Sequence, residues 1–123
     1  MSTFPKAERL SSKVVIDKLF ETGKPFNCSP FKVIWLETTE NESPVQILIS
    51  VPKRLFKRAV DRNRLKRLIR EAYRKNKYLL YNQLKEKKML VMFIFTSRTI
   101  LEYKEVEEKM IVTLQRLITN INS

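Results

Sequence analysis

Apolar residues recur along this chain with two periods, and the switches between them divide it into elements. Val15, Ile16, Leu19 and Phe20 fall at helical spacing. Ser11 or Ser12 can cap that helix over Lys13–Thr22, and Gly23 stands where a left-handed C-terminal cap is expected. Pro25 and Pro30 bracket what reads as a loop. Residues 31–36, rich in aromatic and β-branched side chains, predict a strand. A polar connector over 38–44 leads to a second strand at 45–51, expected antiparallel to the first, and Pro52 ends it. After a basic loop over 53–58, helical spacing resumes at Ala59–Asn76, with Leu65, Leu68, Ile69 and Ala72 facing inward. Residues 78–88 form a turn with a further helical piece. The unbroken apolar run 89–95 predicts a strand buried on both faces and therefore central. Thr99 and Glu102 have the spacing of a capping box, with acidic residues in the first turn that follows. Val106, Met110, Leu114, Leu117 and Ile121 stripe the last helix. The order α-β-β-α-β-α predicts an α+β fold, helices packed on a small sheet.

The length, 123 residues, suits one domain spanning 1–123, with residues 1–10 as an extended N-terminal arm. Charge changes the picture more than length. Against 13 Asp+Glu stand 25 Lys+Arg, a net charge of +12. Such a field attracts polyanions, nucleic acid first and an anionic membrane surface second. One cysteine, Cys28, and no histidine leave too few ligands for a zinc cluster and exclude Ser-His and Cys-His nucleophiles. A lone cysteine fits a reducing compartment. No apolar run is long enough for a secretion signal or a bilayer span. A soluble, cytoplasmic protein with no membrane partner is expected.

The cations concentrate between Ser50 and Arg74. Residues four apart on a helix are neighbours, so Arg58, Arg62, Lys66, Arg70 and Arg74 form a basic row, drifting slowly around the axis, with Asn63 and Arg67 beside it. Like charges at this spacing cost roughly 0.2–0.5 kcal/mol per pair. Packing must therefore hold the helix, and a polyanion would relieve the repulsion. Arginine predominates, and its planar fork binds phosphate in two-pronged fashion. The Asn63 amide suits a 2′-OH, a base edge or a metal-bound water. The plainer alternative is a solvated charged face, but only Asp61 and Glu71 offset the cations. A membrane-surface helix is disfavoured, because the narrow apolar stripe is needed for the core. A metal nuclease built on Asp61 and Glu71 is also disfavoured. Ten residues apart, they lie about 15 Å apart along the axis, so ion pairs with neighbouring arginines suit them better.

Arg62-Asn63-Arg64, followed by Leu65-Lys66-Arg67-Leu68-Ile69-Arg70-Glu71, resembles the signature helix of the bacterial ribonuclease P protein family. Ser50-Val51, Lys53-Arg54, Ala59-Val60, Arg9-Leu10, Leu19-Phe20 and Gly23 agree with it, and the resemblance runs from about Arg9 to Leu117. It implies the family's fold, that of a domain shared with a ribosomal small-subunit protein, with a left-handed β-α-β crossover. It also implies a non-catalytic subunit. A large RNA, using Mg²⁺, hydrolyses the bond at the 5′ boundary of precursor tRNA, and the protein binds both this catalytic RNA and the single-stranded 5′ leader. Carried over, the contacts with the catalytic RNA would be Lys53, Arg54, Arg58, Arg62, Asn63, Arg64, Lys66, Arg67, Arg70 and Arg74. The leader cleft would involve Ile16, Phe20 and Ile34, for which plain core is the alternative. No cofactor is expected on the protein itself. This chain departs from the family in having aliphatic Ile16 and Ile34 where aromatics are frequent and Leu48 where glycine is frequent. Its basic loop is also one residue longer. A general structured-RNA-binding or ribosome-associated protein is the alternative function.

Overall fold

A computed structural model describes residues 8–10, 12–39 and 43–123. The first seven positions of the expected arm, Ser11 and the middle of the 38–44 connector lie outside the described residues. The elements are α1 (Lys13–Thr22), β1 (Lys24–Cys28), β2 (Phe31–Thr38), β3 (Val45–Ser50), α2 (Ala59–Asn76), α3 (Tyr78–Leu84), β4 (Lys88–Phe95) and α4 (Tyr103–Ile121). The strands form one sheet in the order β1-β2-β4-β3.

The apolar run of β4 takes a central place, as its composition requires. It pairs antiparallel with β2 and parallel with β3. Strand β3 therefore runs opposite to β2, as expected, but β4 lies between them. A parallel pair cannot be closed by a tight turn and needs a long crossover. Helices α2 and α3 supply it.

The segment between the two prolines is not a loop. It contains β1, an edge strand paired from Lys24↔Trp35 to Cys28↔Phe31. Pro25 lacks a backbone donor, and an edge strand tolerates that where a central one would not. Gly23 also differs from expectation. Its backbone is extended (φ −68°, ψ 156°), not left-handed. Space requires the glycine: a Cβ here would collide with the Leu19 carbonyl oxygen and the Ile34 side chain. The Gly23 amide donates to that same carbonyl at 2.8 Å, ending α1 against β2. At the other end Ser12 caps the helix, its side chain accepting from the Val15 amide.

Strand alternation gives the sheet two unequal faces. One carries Phe31, Val33, Trp35, Val91, Phe93 and Ile47, and packs on α2, α3 and α4 in a single buried core. There α2 contributes Leu65, Ile69, Ala72 and Tyr73, while Leu68 is only half-buried. The α4 stripe is buried as its periodicity predicts. The capping box before it does not form. Helix α4 begins at Tyr103, Glu102 is its N-cap without a side-chain bond, and the Thr99 amide is taken by the Ser97 hydroxyl. Half-buried Leu101 packs on the core just before the helix. The opposite face is covered only in part. Leu10 and Leu19 bury Ile34, Leu90 and Met92, while Ile16, Leu48 and Ile94 remain half-buried.

The basic turn before α2 is held from two sides. Phe56 is buried against Phe95, with ring centroids 6.1 Å apart. Arg62 reaches back from the first turns of α2 and donates to the carbonyls of Phe56 and Lys57 at 2.7 and 2.9 Å.

Two outcomes follow from these contacts. Gly23→Ala is expected to lower stability by about 1–3 kcal/mol, seen as a lower denaturant midpoint with an unchanged slope. An unchanged midpoint would contradict the steric account. Arg62→Ala is expected to cost about 1–2 kcal/mol and to speed amide exchange over 53–58. Arg67→Ala, on the exposed side, should stay within about 0.5 kcal/mol.

Candidate nucleic-acid interface

Helix α2 is built to present charge. Its inner stripe binds it to the sheet, Asp61 sits in the first turn and Arg74 and Lys75 in the last, each favourable to the helix dipole. Asn63, Arg64, Arg67 and Arg70 are exposed on its outer side, and Arg58 is exposed at its N-cap. Asn63, Arg64, Lys66, Arg67 and Arg70, with Val60, line an open groove of about 530 Å³ along the helix. Lys53 and Arg54 are exposed on the preceding turn.

Not every cation of the expected row joins this surface. Half-buried Arg62 is engaged with the loop carbonyls, so its guanidinium orders the turn that carries Lys53 and Arg54. Arg74 forms a two-pronged pair with Glu71, at 3.0 and 2.6 Å. That hydrogen bond holds the Glu71 carboxyl below its ordinary pKa and raises Arg74. Glu71 thus takes the ion-pair role expected of it. Among the described residues no group of three His, Cys, Asp or Glu side chains could hold a metal ion. No helix among them is long and apolar enough to cross a membrane.

One cation was not selected from the sequence as part of this surface. Arg9 lies next to β3, forming a parallel bridge with Ile47. With Lys66 and Arg70 it lines a recess of about 240 Å³ over Leu10 and residues 47–49. Lys66 and Arg70 line both hollows, so the charged surface continues from the helix to the sheet edge. Arg9 and Lys66 are 57 positions apart, and no local pattern links them.

The three expected cleft residues have different settings. Ile34 is buried beneath α1, Ile16 is half-buried, and Phe20 is 56% exposed. Ile34 therefore belongs to the small core on this side, and Phe20 stands free at its rim. Beside them the register sets Lys32, Ile94 and Ser50 in one row across three strands, with Lys32 exposed. Trp35 faces the opposite side, buried in the main core, with Lys24 Nζ 5.1 Å from its ring centroid.

Comparison with known proteins bears on the fold and the family. The family model described as Ribonuclease P matches residues 4–118. A ribonuclease P protein component from Porphyromonas gingivalis is 38% identical over 121 residues, covering 96% of this chain and 88% of that protein. The RNase P protein of Thermotoga maritima superposes with a TM-score of 0.72 at 24% identity, over 89% of this chain and 96% of that one. A mutant RNase P protein of Staphylococcus aureus gives 0.76 at 21% identity, over 91% and 89%. At such identities the two structures establish the fold. The family match and the Porphyromonas relative, each spanning most of the chain, establish more: the chain belongs to the ribonuclease P protein family, a subunit of the ribonucleoprotein endoribonuclease.

Proposed function

We propose that the outer side of α2, with the turn before it, binds the catalytic RNA of RNase P, and that the half-covered sheet face beside α1 receives the 5′ leader of precursor tRNA. The observation that carries this reading is the exposed set Arg64, Arg67 and Arg70 with Asn63 among them, free of a facing acid in their groove. Cations neutralising RNA phosphates release counterions, which supplies affinity and makes it salt-dependent. Lys53, Arg54 and Arg58 extend the surface, Lys66 joins it at its margin, and Arg62 supports it from behind. Arg74, paired with Glu71, contributes least.

For the leader, Phe20 is the side chain suited to stacking on a base, worth about 1–3 kcal/mol. Ile16 adds apolar surface, and Lys32 offers a charge for a backbone phosphate. Ile34 acts from beneath, seating α1 at the right height. Hydrolysis belongs to the RNA and the Mg²⁺ it holds. This chain supplies charge neutralisation and preference for precursor over mature tRNA, and so promotes product release. A cytoplasmic site of action, where tRNA precursors are made, goes with this reading.

Cleavage of a 5′-labelled precursor tRNA at low Mg²⁺ tests it. Correct cleavage is expected with the protein and its cognate RNase P RNA together, and much less with either alone. Cleavage by the purified protein alone, or no stimulation despite tight RNA binding, would contradict it. Arg67→Glu is expected to weaken binding of the catalytic RNA and to reduce the slope of log affinity against log salt by about 1. Phe20→Ala should reduce holoenzyme affinity for precursor by roughly fivefold or more while leaving mature tRNA unchanged. Equal losses for both would place Phe20 outside the leader path.

A further inference from the structure

Glu8 is a carboxylate with only 6% of its surface exposed, in a chain with a large excess of cations. Burying a charge is costly unless it is paired and hydrogen-bonded. Here it is both. Lys77 Nζ donates to its two oxygens at 2.7 and 2.8 Å, and the Tyr81 hydroxyl donates to Oε1 at 2.6 Å. Lys77 also lies 5.5 Å from the Tyr81 ring centroid. These partners stand at the junction of α2 and α3, 69 and 73 positions along the chain. Burial, followed by the bond to Glu8, raises the Tyr81 pKa, so the hydroxyl keeps its proton for this bond.

The two residues that follow are fixed as well. Arg9 bridges Ile47, and the Leu10 amide donates to the Ile47 carbonyl at 2.8 Å while its side chain is buried under α1. Three consecutive residues are thereby attached, Glu8 to the α2–α3 junction and Arg9 and Leu10 to the free side of β3. Glu8 points into the protein and Arg9 out of it. The Arg9 side chain is exposed and shares its recess with Lys66 and Arg70. Because Ile47 directs its carbonyl away from β4, strand alternation turns the Ile49 amide to the same free side. Three cations from two distant segments line one recess with β3, a setting for a phosphate group.

We propose that Arg9, Lys66 and Arg70 bind a phosphodiester of the RNA, and that Glu8 is a positioning residue for this site, holding Arg9 in place through its bonds to Lys77 and Tyr81. The site rests on the reading given above that the partner is RNA, and adds to it a residue outside α2. An acidic side chain thus favours binding of a polyanion. Its own charge is met by Lys77 and is turned away from the recess, while the cation it fixes faces the ligand.

This reverses the sign that charge alone predicts. Glu8→Gln raises the net charge by one, and electrostatics alone would tighten RNA binding. The latch predicts weaker binding. Glu8→Gln, Arg9→Ala and the double variant are titrated with the cognate RNase P RNA across a salt series, with thermal unfolding of each protein measured in parallel. Arg9→Ala is expected to weaken binding roughly three- to tenfold and to lower the salt slope by about 1. Glu8→Gln should weaken it by a comparable factor, and the double variant should lose no more than Arg9→Ala alone, because Glu8 acts through Arg9. Unchanged or tighter binding by a folded Glu8→Gln protein, or losses that multiply in the double variant, would overturn the latch. Should Glu8→Gln not fold, Tyr81→Phe removes one bond of the latch and should shift affinity in the same direction. Normal affinity of Arg9→Ala both for the catalytic RNA and, in the holoenzyme, for precursor tRNA would overturn the phosphate site itself.

The same variants in the holoenzyme separate the source of the phosphate. A loss confined to precursor affinity assigns it to the leader, and a loss in assembly assigns it to the catalytic RNA. Wild-type protein that binds the RNA without stimulating cleavage would overturn the proposed function, while the latch would still be read from affinity.

Discussion

Helix α2 has seven cations and two acids within eighteen residues, and the rest of the structure depends on keeping it helical. Its own charges oppose that. The opposing force is apolar: Leu65, Ile69, Ala72 and Tyr73 are fully buried against the sheet and α4. Burying a large apolar side chain is worth about 1.5–3 kcal/mol, and each like-charge pair costs roughly 0.2–0.5 kcal/mol. Packing wins by a wide margin. The helix can therefore hold a row of cations in a fixed geometry while no anion is bound. On the proposed reading, RNA meets a surface already ordered, and little conformational entropy is lost on binding.

The unequal faces of the sheet follow from the same division of labour. The face under α2, α3 and α4 is closed and carries the stability of the fold. The other face has one short helix, whose end is drawn close to β2 by Gly23. That leaves Phe20 at a rim and a row of side chains partly uncovered. Residues 8–10 close the free side of β3 and connect the two regions, so the charged surface of α2 and the half-open sheet face adjoin one another. A ligand with both a structured and a single-stranded part suits such a surface.

Much of this was legible in the sequence where the determinant is local. The bounds of α2 agree with its apolar period, and the unbroken apolar run of β4 carried its central position. The α4 stripe was equally plain. What escaped has non-local causes. β1 was hidden by Pro25 and Pro30, which resemble loop punctuation until the strand is known to be an edge. The β3–β4 pairing depends on a crossover of more than thirty residues. The Thr99–Glu102 spacing was a sound local signal, but the Thr99 amide goes to Ser97 and the helix begins after Glu102. Within the candidate site, the basic row located the cations of α2 but not the fate of each guanidinium. Arg62 turns back to two carbonyls and Arg74 to Glu71, choices made by neighbours that periodicity does not weigh. Glu8 owes its position to contacts across more than half the chain, and Arg9 to a bridge 38 positions away. Family resemblance drew attention to Arg9-Leu10 but assigned Arg9 no role.

On the proposed reading, one continuous surface, from the basic turn through the outer side of α2 to the free side of β3, meets the RNA. The most direct measurement is chemical modification of lysine and arginine side chains, read by mass spectrometry, with and without the cognate RNase P RNA. Protection is expected at Arg9, Lys53, Arg54, Arg67 and Arg70, with Lys104, Lys109 and Arg116 on α4 modified equally in both states. Protection of the α4 cations, with α2 left reactive, would contradict it.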